Sequence, residues 1–264
     1  WLQWLKALSE LLLSTWLQKS RPKALLNPRS TPVSKLGQSR IIQRFFWRVT
    51  MKKTILLLSF VLTTFSSFSL AEGDVEAGKD LSAMCAGCHG ADGNSVMSNF
   101  PKLAGQGEGY LFKQLQDFKS GARQDGAMAG VVAMLSEEDM MNLAAYFASK
   151  TITENTAKAD VAVIEIARKI YLGGKKDTGT SACIACHGPK GKGIPSAKFP
   201  AISGQHADYT AKQLKAFRQF ALNLQTGETK PERINDYEGM MRSVAKGLTT
   251  IEIDALAQYI AGLH

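Results

Sequence analysis

Five residues carry the first recognisable chemistry of the chain: Cys85, Ala86, Gly87, Cys88 and His89. The same pattern returns as Cys183, Ile184, Ala185, Cys186 and His187. Two thiols with two residues between them sit about one helical turn apart. They reach the two vinyl groups of one porphyrin and close two thioethers, while the adjacent histidine offers a ring nitrogen to the iron. All four cysteines of the 264-residue chain fall into these two matches. The pattern predicts two covalently bound haem c groups with their iron. Cys85, Cys88, Cys183 and Cys186 would hold them, with His89 and His187 as axial ligands. A single zinc ion bound by two Cys-x-x-Cys pairs wants those pairs about 15–20 residues apart. Here they start 98 residues apart, and the histidines would be idle. A thioredoxin-type disulfide needs a strand–helix context, and nothing before Cys85 or Cys183 reads as a strand.

The sixth iron ligand is chosen by an internal repeat. Phe100–Pro101 matches Phe199–Pro200 at an offset of 99, as do Gly105–Gln106 with Gly204–Gln205, Tyr110 with Tyr209, Lys113–Gln114–Leu115 with Lys212–Gln213–Leu214, and Phe118 with Phe217. After an insertion the offset becomes 113, pairing Leu135 with Leu248 and Tyr146 with Tyr259. An electron carrier fills both axial positions, and a thioether in the sixth raises the potential. The candidates are Met84, Met97, Met128, Met134, Met140, Met141, Met240 and Met241. Met128 and Met241 each lie seven residues before the paired leucines, in what reads as a loop before the last helix of each half. At the same offset Met134 and Met140 have no methionine partner, Met141 meets Asp254 and Met240 meets Ala127. Met128 and Met241 are therefore the expected ligands. His206 stands where the first copy has Gly107 and reads as a surface residue; His264 is terminal and reads as free.

Helices must position these groups. Asp74 to Met84 leads into the first motif. Gly109 to Lys119 carries Leu111, Leu115 and Phe118 at helical spacing. The last helix of each half opens with Ser136 and Asp139, or Thr249 and Glu252, which have the form of a capping box. Met140, Leu143, Ala144 and Phe147 then recur at helical period, as do Ile253, Leu256, Ala257 and Ile260. No alternating strand pattern is present, so the fold class is all-α: two tandem domains related by duplication, each wrapped round one haem. The expected domains are 72–152 and 153–264, with a polar boundary near Thr151–Asp160. Domains of this size bury only a modest core, so the haem is expected to supply apolar bulk.

The N-terminal stretch has a different composition. Met51, Lys52 and Lys53 precede an apolar run from Ile55 to Val61 and a Ser/Thr/Phe segment ending Ser69, Leu70, Ala71. This is the form of a cleaved signal peptide, 51–71; the apolar run is short for a membrane span. Residues 1–50 hold all four tryptophans and no methionine. They are expected to be upstream translation outside the true protein, the alternative being an amphipathic arm. The chain's formal charge of +9 is concentrated there: residues 72–264 carry 21 basic and 22 acidic side chains. The basic balance therefore gives no reason to expect a nucleic-acid partner.

Two Cys-x-x-Cys-His-Gly units, the run Asn99 to Gln106, the Lys-Gln-Leu helix and the ending Tyr259 to His264 together resemble bacterial cytochrome c4, a family of two class I cytochrome c domains. The resemblance covers about 75–264. It implies an electron carrier rather than an enzyme, with His89–Met128 and His187–Met241 as axial pairs and the haems facing each other across a pseudo-twofold interface. In this pattern the carbonyls of Pro101 and Pro200 orient the ligating histidines. The resemblance implies a periplasmic location, which agrees with the export signal. It also implies redox protein partners: a quinol-oxidising complex or cytochrome as donor and a terminal oxidase of cbb3 type as acceptor, with peripheral membrane association allowed. Two alternatives belong to other classes: a dihaem subunit of a larger dehydrogenase, and a dihaem peroxidase, which would want one open or displaceable haem ligand.

Overall fold

A chain whose apolar residues recur every three or four positions can bury them only by packing helix on helix. The computed structural model describes residues 73–227 and 233–264. The expected signal peptide and the segment 1–50 lie outside the described residues. In the first half the helices are α1 (Val75–Leu81), α2 (Ala86–His89), α3 (Glu108–Ser120), α4 (Gly126–Val132) and α5 (Glu137–Ala148). In the second half they are α6 (Val161–Gly173), α7 (Ile184–His187), α8 (Ala207–Thr226), α9 (Met240–Lys246) and α10 (Thr250–Ala261). Among the described residues there is no named strand, only isolated bridges. The all-α expectation holds.

The same plan is built twice. In the first half α5 packs against α1 and α3, and α4 packs against α3; in the second α10 packs against α6 and α8, and α9 packs against α8. The α1–α5 crossing is close because residue 78 is glycine: a Cβ there would lie 2.0 Å from the Asn142 carbonyl oxygen. Leu111, Phe118, Val132, Leu143 and Phe147 form the buried centre of the first half. Ile170, Tyr171, Leu214, Ile253 and Leu256 form that of the second. Both expected capping boxes form. Ser136 Oγ accepts from Asp139 N at 3.0 Å and Thr249 Oγ1 from Glu252 N at 3.2 Å, while each acid returns a bond to the cap residue's own N–H. The two halves belong to one compact unit.

Candidate haem sites

Each Cys-x-x-Cys-His motif closes into a single helical turn. His89 N donates to Cys85 O at 2.9 Å, and His187 N donates to Cys183 O at 2.9 Å. That places both thiols and the histidine on a rigid element at the edge of each core, with Cys85 and Cys183 packed against it. Burial, with the neighbouring Cys88, pushes the Cys85 thiol up to about 11. Burial also pushes the Cys183 thiol up to about 11. The reactive thiol of a redox-active Cys-x-x-Cys pair is shifted the other way; neither Cys85 nor Cys183 is. Among the described residues no group of three or more Cys, His, Asp or Glu side chains is placed to hold a bare metal ion.

The chain after each motif folds back on it. Leu103 N donates to Gly93 O, and Ile202 N to Gly191 O, both at 2.7 Å. These clips bring a proline carbonyl to each histidine: His89 Nδ1 lies 2.9 Å from Pro101 O, and His187 Nδ1 lies 2.9 Å from Pro200 O. A carbonyl only accepts, so Nδ1 carries the proton and Nε2 keeps its lone pair. Burial lowers the pKa of both imidazoles, outweighing the opposing effect of the proline carbonyls and, at His89, of Asp125. Two neutral, oriented imidazoles with a free Nε2 are what an iron ligand requires.

The methionines separate by environment. Met128 and Met241 are partly buried and pack against the first and second cores. Met134 is 79% exposed and Met140 is buried within α5. Met128 and Met241 lie in the first turns of α4 and α9 rather than in loops. Asp125 caps α4, accepting from Ala127 N and Met128 N at 3.1 and 3.2 Å. Gly239 precedes α9 with φ 71°, a left-handed turn that suits glycine.

The junction between the halves is more organised than the sequence suggested. Arg123 donates to Gln114 at 2.8 Å and to Tyr209 across the junction at 2.9 Å; Gln213 accepts from both Arg123 and Arg233. Both guanidiniums are buried, and among the described residues neither forms an ion pair; Arg233 Nε has no hydrogen-bond partner. Buried, unpaired cations are costly. They fit a group that arrives with its own carboxylates, and haem carries two propionates. The donor set and these cations therefore both suit haem. His206 is also at the junction, not simply on the surface: its Nε2 lies 2.8 Å from Ser95 O, and Ser95 Oγ donates to Cys88 O at 2.8 Å. The 99-residue repeat had marked Gln114, Gln213 and Tyr209. The Arg123–Arg233 relation was hidden because the insertion gives it another offset.

Fold and sites define a protein of two tandem cytochrome c domains, and the cytochrome c family model matches residues 75–151 and 173–264. The chain belongs to the cytochrome c4 family. It is 43% identical over 210 residues to cytochrome c4 of Pseudomonas aeruginosa, covering 79% of this chain and 98% of that protein. The crystal structure of reduced recombinant cytochrome c4 from Pseudomonas stutzeri aligns with a TM-score of 0.65 at 45% identity, covering 73% of this chain and 100% of that one. A thiosulfate dehydrogenase electron acceptor of Stutzerimonas stutzeri is 36% identical over 191 residues, covering 71% of this chain and 83% of that protein. The chain is a dihaem electron-transfer cytochrome with two covalent haem c groups.

Proposed function

We propose that the protein is an exported, periplasmic carrier. It would take single electrons from a quinol-oxidising complex or a cytochrome and deliver them to a terminal oxidase, of cbb3 type. In this reading Cys85 and Cys88 hold the first haem and Cys183 and Cys186 the second. His89 with Met128, and His187 with Met241, are the axial pairs. Each haem, when bound, supplies a one-electron ferric/ferrous couple. The chain's contribution is to hold each imidazole neutral and aimed, to keep each thioether at the edge of an apolar core, and to keep water from the ligands. The observation that carries the reading is the completeness of both sets. Each half has its own Nδ1–proline bond and its own half-buried methionine on an equivalent short helix. In this reading Met128 and Met241 fill the sixth positions and leave no axial side for a substrate, which argues against peroxidase chemistry.

A full set of spectra on the purified protein tests this. Both haems should show methionine ligation when oxidised and no reaction with carbon monoxide when reduced. The intact mass should equal residues 72–264 plus two haems. Rapid carbon monoxide binding at either haem would overturn the carrier reading. A second reading, the dihaem subunit of a larger dehydrogenase, draws support from the relative whose name makes it an electron acceptor for thiosulfate dehydrogenase. Stoichiometric co-purification with a catalytic subunit would favour it over the free carrier.

A further inference from the structure

The carbonyl of Pro101 and the N–H of Lys102 are the two ends of one peptide group. Its oxygen accepts from His89 Nδ1 at 2.9 Å. Its nitrogen donates at 2.9 Å to Gln205 Oε1, which belongs to the other half. Gln205 completes a two-point clamp by donating Nε2 to Lys102 O at 2.9 Å. The mirror image is present. Pro200 O accepts from His187 Nδ1 at 2.9 Å, Ala201 N donates to Gln106 Oε1 at 2.8 Å, and Gln106 Nε2 donates to Ala201 O at 2.8 Å. Neither amide is free to swing. Gln106 Oε1 also accepts from Gly107 N at 2.9 Å, and Gln205 Oε1 from His206 N at 3.0 Å, where α3 and α8 begin.

We infer that each half tunes the axial histidine of the opposite half: Gln205 acts on His89 and Gln106 on His187, each through a single peptide group. This rests on the ligation by His89 and His187 proposed above. The physical link is peptide resonance. An acceptor at the N–H end moves electron density toward the oxygen, which then draws more strongly on the imidazole proton. Hydrogen bonds chained in this way strengthen one another by roughly 10–30%. A stronger bond at Nδ1 makes Nε2 more basic, and a more basic ligand favours ferric iron. The intact clamp therefore holds the opposite haem's potential down. Gln205 is 8% exposed while Gln106 is half-buried. Lys102 is further fixed by its Nζ bonds to Thr153 O and Oγ1 at 2.6 and 2.9 Å, which Ala201 cannot make. The relay onto His89 is the better shielded of the two. Gln106 and Gln205 are thus positioning residues that couple two redox centres without touching either histidine.

The test is a haem-by-haem redox titration of the intact dihaem protein, followed through assigned haem methyl and imidazole Nδ1–H resonances. Gln205→Met keeps the length of the side chain and removes the amide. It should shift the first haem about two- to fourfold toward the reduced form at fixed solution potential, from the strengthening just given applied to a charge-assisted bond. The second haem should stay unchanged, and Gln106→Met should do the reverse. A shift in the variant's own half, an equal shift in both haems, or none would overturn the inference. Should Gln205→Met fail to fold, Gln205→Glu retains the oxygen facing Lys102 N. As the more polarising acceptor it should move the first haem toward the oxidised form; no movement would also overturn the proposal. The wild-type imidazole resonances report histidine ligation independently, so a failure of that assignment is visible before any variant is made.

Discussion

Arg123 and Arg233 meet backbone to backbone as an isolated antiparallel bridge across the junction of the two halves. Each places its guanidinium carbon 4.4 Å from the ring centroid of a phenylalanine in its own half, Phe118 and Phe217. Those phenylalanines are repeat partners, so the two buried cations pack on related positions in the two halves.

Arg123→Leu should lower the potentials of both haems. Reduction adds a negative charge, and a buried cation at the junction of the two halves favours it. At an effective dielectric near 20 and separations near 10 Å, one charge is worth on the order of 1–2 kcal/mol. Buried charges are poorly screened, so the drop should persist at high salt. Potentiometric titration at two ionic strengths checks this. An unchanged pair of potentials would mean that the guanidinium charge is neutralised elsewhere.

Met128→Ala should open the first haem alone. Its methionine-ligation spectrum should vanish and its potential fall, while the second haem, with Met241 packed on its own core, stays nearly unchanged. Met134→Ala should leave both spectra intact, since that side chain is 79% exposed. Equal loss of ligation signals from both haems after Met128→Ala would contradict two separately built sites.

Local signals made much of this legible. Cys85 to His89 and Cys183 to His187 name their cofactor because haem attachment requires a fixed spacing. Ser136–Asp139 and Thr249–Glu252 announce helix starts because capping is local chemistry. Pro101 and Pro200 could be assigned to their histidines only through the family resemblance, since twelve or thirteen residues separate the partners. The junction was not legible. Gln205 meets Lys102 over 103 residues and Arg123 meets Tyr209 over 86. Such contacts depend on how the halves dock, which no periodicity records. His206 shows the cost: with no counterpart in the first copy it reads as surface, yet it reaches Ser95 O at 2.8 Å.

Glu252 should make the last helix acid-sensitive. Burial raises its pKa, but the Thr249 N–H, Lys175 and the Thr249 hydroxyl outweigh this and hold the carboxyl below its ordinary value of 4.5. The Lys175–Glu252 separation is 2.9 Å. A depressed folded-state pKa contributes stability above the unfolded value, lost as pH falls through the folded one. Glu252→Gln should cost about 1 kcal/mol at pH 7 once solvent screening is discounted. Its stability should be flatter than wild type as pH falls below 4.5. Thermal unfolding from pH 7 to pH 3 measures both, and parallel curves for the two proteins would count against the account.

The charge of the two halves sets an order of reduction. Residues 72–150 carry six basic and eleven acidic side chains, and residues 151–264 carry fifteen and eleven. Reducing a haem adds one negative charge, which a basic surround stabilises and an acidic one opposes. One charge about 15 Å away at an effective dielectric of about 40 is worth roughly 0.5 kcal/mol before screening. Several such charges, partly cancelling, separate the two potentials by on the order of 1–2 kcal/mol. The proposed ligands are matched and both histidines have equivalent proline bonds, so little else distinguishes the halves at that scale. The better-shielded clamp on Lys102 acts in the same direction, holding the first haem down. The haem on Cys183, Cys186 and His187 should be reduced first, its lead shrinking as salt rises, with electrons passing from the first half to the second. Stepwise reduction followed by NMR of assigned haem methyl groups measures the order. Earlier reduction of the haem on Cys85, Cys88 and His89 at low salt would reverse the flow. A lead indifferent to salt would transfer the difference from the surface charges to the buried junction.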